Sequence, residues 1–152
     1  MIPAALGPMV EAAEGFHRVV RRQPTPMAVP YVCPAGYWTI GFGELCQPDH
    51  PPITLEMGRQ RLYEVLLPVY VGHALRLSPR LAFEPENRLA AIADFIFNLG
   101  PGRYTASTLR RTVQAGQWEA ARGEVVKWVY GGGRVLPGLV ARRALEAELL
   151  RG

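Results

Sequence analysis

Aspartate is nearly absent from this 152-residue chain: Asp49 and Asp94 stand against eleven glutamates, so chemistry that demands an aspartate has few places to reside. Lysine is scarcer still, with Lys127 alone beside sixteen arginines. The two cysteines, Cys33 and Cys46, are too few for a disulfide framework and fit a reduced compartment, with a single bridge between them left open. Apolar runs such as Val65 to Leu67 or Ala90 to Ala93 fall far short of the roughly 18 residues that cross a bilayer, so no stable membrane insertion is expected. Met1 to Glu14 shows no basic stretch ahead of an apolar one, and no secretory signal is expected either.

What remains is a chain with 49% hydrophobic and 20% charged residues, enough to bury one real core in a single domain, residues 1–152. The net charge of +4 favours an anionic partner: nucleic acid, a membrane surface or an acidic wall polymer. No nucleic-acid motif accompanies the charge, so none is expected to bind.

Apolar Met9, Val10, Ala13, Phe16 and Val20 recur at helical spacing from Pro8 to Val20, with Glu14 late in the helix and Pro24 and Pro26 ending it. From Tyr31 to Glu44, glycines punctuate aromatic and β-branched residues, which predicts a small β-hairpin; Gln47 to Pro52 reads as a turn. Thr54 is a candidate N-cap for a helix that Pro68 should kink or break. Helices then follow with short connections. Leu89, Ile92, Ile96 and Leu99 form one face of a helix stopped by Gly100 and Pro101, and Ser107 caps a short helix ending at Gly116. Another runs from about Gln117 to Val129 with Gly131 to Gly133 ending it, and Pro137 opens the last. The outline is α+β with helices dominant.

Polar chemistry concentrates before residue 55, in Glu11, Glu14, His17, Cys33, Thr39, Glu44, Cys46, Asp49 and His50. A glutamate on a largely apolar helix, just before a glycine and followed by an aromatic hairpin, has the elements of a general acid. Glu14 fits that description, and Glu11 is the solvated comparison. Cys33, Cys46 and His50 match no closed metal motif, so no metal or other cofactor is expected. Gly131 to Gly133 lacks the Lys and Ser or Thr of a phosphate loop. Trp118, Trp128, Phe95 and Phe97 fall at core spacing, whereas Tyr37 and Trp38 alternate onto opposite hairpin faces.

Several stretches, in order, carry a resemblance: Glu14-Gly15, YVCPAGYWTIGFG from Tyr31 to Gly43, FNLG from Phe97 to Gly100, Ser107 to Leu109, Trp128 with the glycines after it, and GLVARRALE from Gly138 to Glu146. Together they resemble the T-even phage lysozyme family of endolysins and muramidases, glycoside hydrolase family 24. The resemblance implies a lysozyme-like α+β fold, a small N-terminal β-hairpin lobe and a predominantly helical C-terminal lobe, with the site between them. It also implies a triad of Glu, then Asp or Cys, then Thr, which falls on Glu14, Cys33 and Thr39. The five residues between Cys33 and Thr39 keep the family spacing. Eighteen residues separate Glu14 from Cys33 instead of eight, a surplus held in the Arg- and Pro-rich stretch from Arg18 to Pro30. A surface loop can grow this way at under about 1 kcal/mol per doubling. Glu44 stands where many members carry His. Tyr37, Glu44 and Arg142 are the candidate substrate-binding residues, and either Arg142 or Arg143 is expected to pair with Glu146.

The implied activity is hydrolysis of the β-1,4 bond between N-acetylmuramic acid and N-acetylglucosamine of bacterial peptidoglycan, for host lysis. Glycosidases commonly use two carboxylates, and Cys33 is not one. As a thiolate it can act as nucleophile or electrostatic partner; alternatively Cys33 and Thr39 hold a water, with Asp49 and Glu44 as fallback second carboxylates. A lytic transglycosylase and an inactive peptidoglycan-binding module remain as rivals. A monomer is expected, accumulating in the host cytoplasm until a separate holin admits it to the wall, with a virion-associated form equally compatible.

Overall fold

A computed structural model of the chain describes residues 1–17, 19–20 and 25–152. Expectations that rest on Arg18, Arg21, Arg22 and Pro24 lie outside the described residues. The structure falls into two units, one of residues Gly7–Leu67 and one of Met1–Leu6 with Pro68–Gly152.

The Gly7–Leu67 unit carries most of helix α1 (Leu6–Glu14), then strands β1 (Val19–Val20), β2 (Met27–Ala28), β3 (Tyr31–Val32), β4 (Trp38–Ile40), β5 (Glu44–Leu45) and β6 (Ile53–Thr54). Periodicity predicts α1 as far as Val20. It stops at Glu14 because Gly15 turns left-handed, at φ +68°, and returns its amide to the Glu11 carbonyl at 3.0 Å. Released from the helix, Val19 and Val20 pair with β2, giving an antiparallel sheet ordered β1-β2-β6; a second is ordered β3-β4-β5. Ala28, Ile40 and Ile53 form a buried cluster joining the two sheets, with Phe16 and Cys46 packed on it. Burying Ile40 and Ile53 contributes about 1.5–3 kcal/mol each.

Thr54 caps helix α2 (Leu55–Arg61) as predicted, its hydroxyl accepting the Met57 amide at 3.2 Å. A π-turn over Leu62–Leu66 leads into α3 (Leu67–Leu77). This is how the chain accommodates Pro68: the Leu67 amide reaches back five residues to the Leu62 carbonyl, and the widened turn admits a ring that neither donates nor fits a regular helix. Two contacts hold α1 against this stretch. Glu11 pairs with Arg59 at 2.9 Å, and Gly7 faces Tyr63 so closely that a Cβ there would stand 2.2 Å from its hydroxyl.

In the second unit a 3₁₀ turn (Pro79–Phe83) is followed by α4 (Glu86–Leu99), α5 (Pro101–Ala106), α6 (Thr108–Ala115), α7 (Trp118–Val125), a hairpin of β7 (Tyr130–Gly131) and β8 (Arg134–Val135), and α8 (Pro137–Leu149). Helix α4 packs on α8, and α7 on both α6 and α8. Ser107 caps α6 through the Arg110 amide at 3.1 Å and Gly116 ends it left-handed, both as predicted. Helix α7 ends at Val125, short of the expected Val129, and the glycines beyond it do more than terminate a helix. Gly132 and Gly133, at φ +58° and +78°, supply the two left-handed residues of a tight hairpin turn between β7 and β8. The class is therefore α+β, with an N-terminal β lobe and a mainly helical C-terminal lobe.

Candidate active site

Strands β3 and β4 are closed by a loop whose chemistry is local. Pro34 presets φ for a turn, Gly36 adopts φ +87°, and its amide bonds the Cys33 carbonyl at 2.8 Å. The Cys33 amide then donates to the Tyr37 carbonyl at 2.9 Å. Across the sheet Tyr31 pairs with Thr39 and Thr39 with Leu45. Because side chains alternate, Tyr31, Cys33, Tyr37, Thr39 and Leu45 share one face, while Val32, Trp38, Ile40, Glu44 and Cys46 share the other.

Cys33 and Thr39 thus meet on one face. The buried Thr39 hydroxyl donates to the Tyr37 carbonyl at 3.0 Å, the oxygen already holding the Cys33 amide. The Cys33 thiol is pulled below its usual range, first by the Tyr37 backbone amide, then by the Thr39 hydroxyl, with the Ala35 and Gly36 amides adding to it against a small burial effect. Hydrogen bonds to the charged form favour that form. The half-buried Cys33 is therefore the more acidic thiol of the pair. Cys46 is driven the other way, chiefly by burial and then by the Glu44 charge, against Arg61.

Glu14 ends α1, half-buried, and Gly15 leaves the helix directly after it at φ +68°. The His17 ring lies within 3.3 Å of where a Cβ on Gly15 would stand, and packs edge-on against Tyr31 at 6.0 Å between centroids. Tyr31 in turn is the cross-strand partner of Thr39. The end of α1 is thereby tied to the sheet face that carries Cys33 and Thr39. Sequence reasoning placed His17 on the helix and passed over Tyr31; its position two residues before Cys33 is the alternation signal that finds it.

Tyr37 lies on this same face and is 62% exposed, whereas Trp38 belongs to the opposite one. Glu44 also sits on the opposite face, its carboxylate engaged by Arg61 at 2.9 Å. The Arg61 guanidinium further donates to His50 Nε2 at 3.1 Å, while His50 Nδ1 donates to the Pro51 carbonyl at 2.7 Å. Glu44 thus latches the sheet to α2, on the face away from Cys33. Asp49 is exposed in the turn after β5. Arg142 and Asp94 lie in the other unit, both buried, with Nε and Nη2 of Arg142 each 2.8 Å from an Asp94 oxygen. Arg143 takes the pairing with Glu146, at 3.1 Å. Among the described residues no group of three or more His, Cys, Asp or Glu gathers where a metal ion would be held.

The Gly7–Leu67 unit thus carries a carboxylic acid at a helix end and, on a sheet face, an acidified thiol beside a hydroxyl, and the chain is similar to known proteins. The endolysin of Acyrthosiphon pisum secondary endosymbiont phage 1 is 32% identical over 124 residues, spanning 78% of this chain and 83% of that one. The endolysin of Bacillus phage B103 is 31% identical over 114 residues, 74% of this chain and 43% of that longer one. Among solved structures, the muramidase domain of SpmX from Asticaccaulis excentricus superposes with a TM-score of 0.79 at 25% identity, covering 100% of this chain and 98% of that one. The family described as phage lysozyme matches residues 26–146, and the chain belongs to it.

Proposed function

We propose that this chain is a muramidase that hydrolyses the β-1,4 bond between N-acetylmuramic acid and N-acetylglucosamine in bacterial peptidoglycan. Its relatives carry the names endolysin and muramidase, and the observation that carries the reading to particular residues is the Cys33–Thr39 pair on one sheet face, tied to the end of α1 at Glu14. Glu14 is the general acid that protonates the glycosidic oxygen. As the bond to the leaving sugar breaks, positive charge develops at the anomeric carbon, and an anionic group on that side lowers the barrier. Cys33, held toward its thiolate form by the Tyr37 amide and the Thr39 hydroxyl, supplies that charge. Thr39 has one proton, which turns from the Tyr37 carbonyl to the sulfur when Cys33 ionises, and two lone pairs that can accept from the attacking water. Tyr37 offers an exposed ring beside them as a sugar contact. In a phage context the enzyme meets the wall after a separate holin opens the way.

The deciding experiment is mass spectrometry of purified peptidoglycan digested by the protein. Reducing muramic ends support the proposal. Anhydro ends mean that the sugar's own 6-hydroxyl replaces water, and the enzyme is a transglycosylase. No release means a binding module without turnover.

A further inference from the structure

Two long stretches of the helical unit contain no acidic residue at all: Pro68 to Phe83 and Phe95 to Trp118. They supply the α3 C-terminal end, the 3₁₀ turn, α5 and α6, and the structure packs these together. Ser78, just past α3, shares a 2.8 Å hydrogen bond with Tyr104 of α5, and Arg110 of α6 donates to the Leu77 carbonyl at 2.8 Å. The Arg110 charge is close enough to act on the buried Tyr104 phenol, which burial has pushed up to about 12. Arg76, next to Leu77, and Arg103, next to Tyr104, flank the same junction, and Arg111 follows Arg110 on α6.

These arginines differ from the others nearby. Arg80 and Arg88 are both bound to Glu84, and Arg122 to Glu119. Arg76, Arg103, Arg110 and Arg111 have no carboxylate within ion-pair distance among the described residues. Arg76 leans on His73 and Arg111 on the Thr108 hydroxyl, contacts that hold the side chains without cancelling their charge. Arg76, Arg103 and Arg111 are exposed, and Arg110 is half-buried.

We infer that this junction is a binding face for a linear phosphodiester polymer of the bacterial envelope, separate in its residues from the Glu14–Cys33–Thr39 site. Four arginines without a carboxylate partner, one in the junction and three a residue away from it in the chain, raise the positive potential of this part of the unit, and the planar fork of Arg matches phosphate oxygens in pairs where a lysine ammonium would offer only a point charge. A polymer of repeating phosphates engages several such forks at once and releases its counter-ions on binding, so its affinity falls steeply with salt. The wall-hydrolase reading bears only on where the polymer is met, because binding itself requires no turnover.

The test uses the full chain and fluorescently labelled poly(glycerol phosphate), followed by anisotropy across a salt series. The triple variant Arg76→Gln, Arg103→Gln, Arg111→Gln spares Arg110, whose guanidinium also holds α6 to the α3 end. It should lose at least about tenfold in affinity at low salt and show a shallower salt slope. The control triple Lys127→Gln, Arg134→Gln, Arg151→Gln removes equal charge elsewhere on the same unit and should bind like the parent. Equal losses in the two triples would reduce the effect to net charge and overturn the proposal. So would binding of the parent to phosphatidylglycerol vesicles, or to duplex DNA, as tight as to the polymer. Cleavage of a soluble glycan by the first triple should match the parent, which separates failure of this face from failure of the catalytic reading.

Discussion

Cys33 and Cys46 flank β4 from its two sides and point to opposite faces of the same sheet. The Cys33 amide bonds the Tyr37 carbonyl from the β3 side, and the Cys46 amide bonds the Trp38 carbonyl at 3.0 Å from the β5 side. With β4 between them the two backbones lie two strand spacings apart, about 9–10 Å. A disulfide needs Cα atoms within about 7 Å. A redox switch in which the pair closes and consumes Cys33 is therefore ruled out by the register itself. Mild oxidation of the native protein should leave both thiols free by mass spectrometry. An intramolecular bridge formed while the circular dichroism stays native would contradict this register.

The two thiols should also be told apart by their chemistry. Thiolate is the reactive form, so Cys33, shifted down by amide and hydroxyl donors, should alkylate with iodoacetamide at lower pH than Cys46, shifted up by burial. Removing one donor gives the sharper test. Thr39→Val in a Cys46→Ser background should move the midpoint of Cys33 alkylation to higher pH. A midpoint that does not move would mean that the hydroxyl serves the Tyr37 carbonyl alone.

Replacing Glu14 by Gln keeps the size of the side chain and removes its proton. As general acids commonly contribute at least about a hundredfold, wall lysis by Glu14→Gln should fall by that much or more while the thermal midpoint stays near the parent's. Cys33→Asp should retain far more activity than Cys33→Ala if the charge at this position is what counts. Near-normal turnover in Glu14→Gln would remove it from the mechanism, and equal losses in the two Cys33 variants would remove the charge argument.

What could be read from the residue order divides along physical lines. Caps were legible because they are local: Thr54 and Ser107 need only an amide three residues on, and Pro137 only its own ring. The Cys33–Thr39 pair came from the family resemblance, and the hairpin register puts both on one face. The strand at Val19–Val20 was hidden because its partners, Ala28 and Met27, lie several residues further along the chain, and helical spacing upstream masked the stop at Gly15. The π-turn before Pro68 was hidden because a kink, a break and a widened turn all answer the same missing amide. Hardest of all was the Arg142–Asp94 pair, whose residues sit 48 apart in sequence. Nothing local marks either as buried, and Arg142 read instead as a candidate substrate contact.

That buried pair has a neighbour whose protonation can be tested. Arg143 and Glu146 are both fully buried, their charged groups 3.1 Å apart, with Arg143 also donating to the Asn98 side chain at 2.7 Å and lying over the Phe95 ring. Burial pushes the Glu146 carboxyl well above the usual range; the nearby Asp94 adds to this, and Arg143 pulls against it. A carboxyl whose folded pKa is raised holds its proton more tightly folded than unfolded. Its contribution to stability is full below the unfolded value, near about 4.3, and is lost as pH rises through the folded value. Glu146→Gln copies the protonated shape and cannot ionise. The urea midpoint of Glu146→Gln minus that of the parent should therefore climb steadily as pH is raised from about 4 toward 8, because only the parent has a proton to lose. Arg143→Met removes a cation that favours the ionised form and should push the Glu146 carboxyl higher still, so that Glu146→Gln made in the Arg143→Met background begins to gain on its own parent only at higher pH. Parallel curves for Glu146→Gln and the parent across that range would show that Glu146 carries no raised pKa, and that Arg143 keeps it ionised in the core.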